Sequence, residues 1–112
     1  MSENNQSKFK PELRKRWLYR NYLLKLRQEA GLRIDALGEK LFLDKKIYYR
    51  IEQGERGHRM NALFIQKISK ELGVSIEIFI NLEAEYQRER IKAGLVSAQW
   101  YVSFEEEDDD GD

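Results

Sequence analysis

The side chains in this sequence that could do chemistry are mostly cationic, and they are unevenly placed. Residues 1–60 hold fifteen Lys and Arg against eight Asp and Glu, and residues 61–104 hold five of each. Residues 105–112 hold seven carboxylates and no base, so the formal net charge is zero. Charge separated in this way points to a phosphate-bearing partner, nucleic acid above all, with an acidic tail. The competing reading is an ordinary solvated surface with a solubilising tail. Other chemistry has little to work with. Cysteine is absent, which removes disulfides, thiolate nucleophiles and Cys-based zinc sites. A single histidine, His58, removes a multi-His metal site. A Ser-His-Asp triad would have to draw that histidine from what reads as an exposed basic loop. Gly54-Glu55-Arg56-Gly57 lacks the lysine and spacing of a phosphate-binding loop and reads as a turn. Glu105–Asp110 would hold a divalent cation only loosely and reads as a solvated tail. The expectation is no enzyme activity, no cofactor and no metal.

The elements that position these cations read as helices. No apolar run approaches the ~20 residues that cross a bilayer, and Met1–Lys8 is too polar for a secretory signal. A soluble, cytoplasmic, all-α domain is expected, with no membrane partner. Pro11 suits a helix first turn, and Glu12 to Ala30 contains neither Gly nor Pro. Leu13, Trp17, Leu23, Leu26 and Ala30 recur at helical spacings, so the first helix is predicted over 12–30, with Gly31 as its stop. Its early face carries Arg14, Lys15, Arg16 and Arg20, and Trp17, Tyr19 and Tyr22 are expected to pack from it. Asp35–Leu41 is two turns. Asp44 caps a helix from Lys45 to about Gln53. Asn61 caps another whose stripe of Leu63, Ile65, Ile68 and Leu72 stops at Gly73. Ser75 caps a fifth, running through Phe79, Leu82 and Tyr86 to about Ala93.

Residues 96–104 differ. Val96, Ala98, Trp100, Val102 and Phe104 alternate with polar or amphipathic residues, a period of two that predicts a half-buried strand or extended segment. Such a strand needs a partner. It pairs with its copy in a second subunit, packs as extended chain on the helices, or adds to a sheet of another protein.

Four blocks of residues resemble a known family. They are Leu26-Arg27-Gln28-Glu29-Ala30-Gly31-Leu32, Leu37-Gly38-Glu39-Lys40-Leu41, Tyr49-Arg50-Ile51-Glu52-Gln53-Gly54 and Ile68-Ser69-Lys70-Glu71-Leu72-Gly73-Val74-Ser75. Together, in register across residues 21–82, they resemble the XRE, or phage Cro/repressor, family of helix-turn-helix proteins. The resemblance implies a five-helix domain whose third helix enters the DNA major groove N-terminus first. Lys45, Lys46, Tyr49 and Arg50 then fall where base edges are read, with Arg50 able to hold guanine bidentately. Arg33, Gln53, Arg56 and Arg59 fall where the phosphate backbone runs, fixing register without reading sequence. Arg27 and Glu52 are implied to form a structural ion pair beneath the motif, so neither is expected to touch DNA.

Three positions depart from the family pattern. Ile34 stands where a phosphate-binding glutamine is common. Phe42 replaces the glycine of the turn, where a left-handed backbone is favoured. Tyr48 replaces the small aliphatic plug of the motif, while Gly38 keeps the small side chain that lets its two helices approach. The expected organisation is a basic extension and helix start over 1–20, the DNA-binding domain over 21–82, a self-associating helix and strand over 83–104, and a disordered acidic tail over 105–112. The expected function is sequence-specific double-stranded DNA binding by a homodimeric transcriptional regulator, of the phage or mobile-element repressor kind. The alternative is an antitoxin or other protein-interaction factor that uses residues 96–104.

Overall fold

The computed structural model describes residues 17–99. They form five helices, α1 (Asn21–Glu29), α2 (Ile34–Lys40), α3 (Lys45–Glu52), α4 (Ala62–Leu72) and α5 (Ile76–Lys92). Among the described residues there is no strand, and no helix is long and apolar enough to cross a membrane.

Local chemistry accounts for three of the five helix starts. The Asp44 carboxylate accepts from the Lys46 N–H at 2.7 Å, the Asn61 side chain from the Phe64 N–H at 2.9 Å, and the Ser75 hydroxyl from the Ile78 N–H at 3.0 Å. Each satisfies a donor that a helix start leaves open. On α5, Glu77 lies in the first turn and Arg90 and Lys92 in the last, the arrangement that complements the helix dipole.

The apolar faces converge on one core of Leu23, Leu37, Leu41, Tyr48, Ile51, Ile68, Leu72 and Phe79. Full burial of an aliphatic or aromatic side chain contributes about 1.5–3 kcal/mol, so these residues dominate the cohesion of the domain. Helix α2 packs on α3, α4 on α5, and α1 on α3. The α2–α3 approach depends on Gly38, where an added Cβ would meet the Leu43 carbonyl oxygen at 3.2 Å and the Lys45 Cα at 3.5 Å.

Two expectations need correction. The first helix does not run through residues 17–20; Trp17–Arg20 is irregular and α1 starts at Asn21. The reason is distant. The Tyr86 hydroxyl donates to the Leu18 carbonyl at 2.5 Å, and the Arg20 N–H donates to the Glu52 carbonyl at 2.7 Å. The segment also crosses so close to Gly54 that a Cβ there would lie 1.8 Å from the Leu18 oxygen. Propensity for helix yields to these contacts with α3 and α5. The second correction concerns Val96–Phe104. Residues 96–99 form bends and a turn, not a strand, and the Gln99 N–H bonds to the Ser97 hydroxyl at 3.1 Å. Alternation alone supplies no ladder, and no described strand is present to pair with. The expectations for residues 1–16, 100–104 and the acidic tail 105–112 lie outside the described residues.

Candidate nucleic-acid interface

Helix α3 presents Lys45, Lys46, Tyr49 and Arg50 on its outer side, all exposed, with Tyr49 47% accessible. The opposite side carries Tyr48, Ile51 and Glu52 into the interior. Lys45, Lys46 and Tyr49 share a depression of about 420 Å³ with Arg33, Ile34 and Asp35, and with Arg27 beneath. Within it, the Arg33 guanidinium is held by the Asp35 carboxylate at 2.8 Å. Lys45 and Lys46 make no ion pair among the described residues. Arg50 lies one turn along α3, with Nε 3.5 Å from Glu55 Oε1. Gln53, the C-cap of α3, is half-buried and shares a second depression with Tyr49, Ile34, Tyr19 and Asn21. Arg56 and Arg59 are exposed in the loop that follows. The cations thus form two groups, Arg33, Lys45 and Lys46 at the start of α3, and Arg50, Arg56 and Arg59 at and beyond its end.

Beneath this surface α3 is anchored by charge. Arg27 Nε donates to Glu52 Oε2 at 2.5 Å, and Arg27 Nη2 to Oε1 at 3.3 Å. The Tyr48 hydroxyl donates to the same carboxylate at 2.6 Å. Glu52 holds Arg27 more firmly protonated than a free guanidinium, mainly through the hydrogen bond. Burial pushes the Tyr48 phenol up, reinforced by its bond to Glu52. Tyr48 therefore buries its ring in the core and ties the ion pair with its hydroxyl. The turn between α2 and α3 is left-handed at a residue other than glycine: Phe42 adopts φ 61° with its side chain 87% exposed.

The sequence reading missed a second polar cluster. Arg20, read as a surface cation, is fully buried. Its guanidinium donates to both Glu83 oxygens at 2.8 Å and to the carbonyls of Ile51 and Arg56 at 2.7 Å and Gly57 at 2.8 Å. Burial opposes its charge, but Glu83 outweighs that and raises its pKa. Tyr22 adds a hydroxyl to Glu83 at 2.5 Å. His58 is likewise not an exposed surface residue. It is half-buried and stacked on Tyr86 with ring centroids 6.2 Å apart. Its Nδ1 faces two donors, Gln87 Nε2 at 3.2 Å and Arg20 Nη2 at 3.4 Å, so Nδ1 accepts and Nε2–H donates to the Gly54 carbonyl at 2.9 Å. Burial, then the charges of Arg20 and Arg90, pull its pKa down to about 4. The cluster clamps the loop bearing Arg56 and Arg59 between residue 20 and α5. No local sequence signal marks it, because its partners come from three separate stretches of chain. Tyr48 and Glu52, by contrast, stand four residues apart on one helix, a spacing that joins them on inspection.

No protein-family model matches this chain, and no curated protein matches it either.

Proposed function

We propose that this chain is a sequence-specific double-stranded DNA-binding transcriptional regulator of the Cro/repressor-like helix-turn-helix kind. In this reading α2, the turn at Phe42 and α3 are the motif. Helix α3 enters the major groove, with Lys45, Lys46, Tyr49 and Arg50 facing base edges. Arg33, Gln53, Arg56 and Arg59 face the phosphates on either side. The observation that carries the reading is the division of α3. One side is locked into the core through Glu52, Tyr48 and Ile51, while the other offers two lysines with no ion pair among the described residues, a tyrosine and an arginine to solvent. A helix fixed so firmly with its cationic side outward is suited to rigid docking in a groove.

One recognition helix covers few base pairs, so the regulator is proposed to bind a two-fold operator as a dimer with half-sites ~34–36 Å apart. Ile76, Ile78 and Ile80 of α5 are exposed large apolar residues that support self-association through the C-terminal half. Selection from a random duplex library tests both points. Enrichment of an inverted repeat supports the reading, and absence of any enriched sequence sinks it.

One observation favours a second reading, a protein-interaction factor of the antitoxin kind. Phe42 and Leu63 are 87% and 74% exposed, and the ammonium of Lys67, one turn from Leu63 on α4, lies 5.5 Å from the Phe42 ring centroid. Purification from native cells separates the two readings: a stoichiometric protein partner that displaces no DNA favours the second.

A further inference from the structure

We propose that the C-terminal segment 104–112, Phe104 followed by its acids, occupies the Lys45–Lys46 depression of its own chain and competes there with DNA. The consequence for DNA rests on the function proposed above; the contact itself does not.

The depression is poorly suited to phosphate alone. Ile34 lines it where a polar donor would serve a phosphate better, and the Tyr49 ring adds a second apolar wall. Its one arginine at the rim, Arg33, shares its charge with Asp35 at 2.8 Å in an exposed pair that a phosphate can displace. What remains is two lysines without ion pairs among the described residues, beside apolar lining. That combination fits a peptide in which an apolar side chain is followed at once by carboxylates. Phe104-Glu105-Glu106-Glu107 is such a peptide, and it opens a run of six acids, with Asp112 a seventh beyond Gly111.

The last turns of α5 lie beside the loop that follows α3, through Gln87 at His58 and the Arg90 guanidinium on Gln87 at 2.7 Å. Helix α3 is only about 12 Å long. Phe104 lies five residues past Gln99 and Glu107 eight, so extended chain carries that peptide up to about 16–26 Å from Gln99. Attachment at that range holds the acids near millimolar local concentration. With an intrinsic dissociation constant of ~0.1 mM, a tethered competitor at ~1 mM weakens DNA binding about tenfold. Base-edge contacts at a specific site resist this better than phosphate contacts do, so non-specific binding suffers most.

The test uses the full chain in two arms. The sequence has no cysteine, so Asp112→Cys gives a unique attachment point for a nitroxide. The proposal requires paramagnetic broadening of the Lys45, Lys46 and Tyr49 amides at low salt without DNA, relieved at 0.5 M salt as ions screen the contact. Broadening elsewhere, or none, overturns it. So does broadening that transfers to an isotope-labelled, nitroxide-free chain on mixing, since the segment then seats on a second copy. In the other arm all seven acids are neutralised (Glu→Gln at 105–107, Asp→Asn at 108–110 and 112). Non-specific duplex affinity should rise about tenfold at low salt and converge with wild type at high salt. Equal affinity at low salt overturns the competition. Local broadening in a protein that binds no duplex in either form leaves the contact standing and rejects the DNA-binding function instead.

Discussion

Two substitutions in the Arg27–Glu52–Tyr48 cluster separate a lost hydrogen bond from a stranded charge. Tyr48→Phe keeps the buried ring and removes only the donor to Glu52 at 2.6 Å; it should lower stability by about 1–2 kcal/mol. Glu52→Ala leaves the Arg27 guanidinium buried without its carboxylate and should cost about 3 kcal/mol. That is the low end for a broken buried pair, because Arg27 Nη1 keeps its bond to the Leu32 carbonyl at 3.0 Å. Urea unfolding of both variants checks the order, and equal losses would refute it. On the outer side of α3, under the proposed DNA-binding function, the expected effects fall on binding. Arg50→Ala should weaken the selected DNA site by about 1–3 kcal/mol and relax one base position per half-site. Arg56→Ala should weaken all sequences alike and reduce the salt slope by about 1 per half-site. Affinity measured across a salt series on matched and scrambled duplexes distinguishes the two behaviours.

The turn between α2 and α3 makes a prediction at the scale of elements. A left-handed backbone costs a side-chain-bearing residue about 1–2 kcal/mol, whereas glycine pays only ~0.5–1 kcal/mol in extra chain entropy. The ring of Phe42 is 87% exposed, so its removal forfeits little burial. Phe42→Gly should therefore stabilise the domain by about 0.5–1 kcal/mol, read as a raised urea midpoint at unchanged slope. A lower midpoint would mean that the contact with Lys67 outweighs the strain. The same scale shows what was legible in the sequence. The starts of α3, α4 and α5 are readable because an N-cap acts over two or three residues, as at Asp44, Asn61 and Ser75. The start of α1 is not, since its position is decided by Glu52, Gly54 and Tyr86. Exposure of Lys45, Lys46, Tyr49 and Arg50 follows from helical period once α3 is located. The burial of Arg20 and His58 does not, because both sit in stretches whose local composition reads as surface.

For the molecule as a whole, His58 ties stability to pH. Its folded pKa of about 4 lies below the ordinary value of 6.5, so the native state holds it neutral. That contribution is fully present above about pH 6.5 and is lost as pH falls toward 4, where the unfolded chain binds the extra proton. The loss amounts to about 3 kcal/mol at most. Carboxylates titrate over part of the same range, so the measurement is a difference. The stability gap between wild type and His58→Gln should shrink by that amount between pH 7 and pH 4. A gap independent of pH would place a protonated imidazole beside Arg20 in the folded protein, against the two donors that face Nδ1.

Arg20 and Glu83 stand sixty-three positions apart, while α2 and α3 are neighbours in the chain. Closing a long loop before its contacts form is entropically costly, so the α2–α3 pair should assemble early and the Arg20–Glu83 link late. An interaction absent from the transition state slows escape from the native state without speeding arrival. Glu83→Gln, which leaves a buried guanidinium facing a neutral amide, should cost about 3 kcal/mol. Nearly all of that should appear as unfolding faster by about a hundredfold, with the refolding limb of a stopped-flow chevron unmoved. A slowed refolding limb would put the link in the folding nucleus. If the limb holds, this one ion pair acts as a latch on the lifetime of the folded domain.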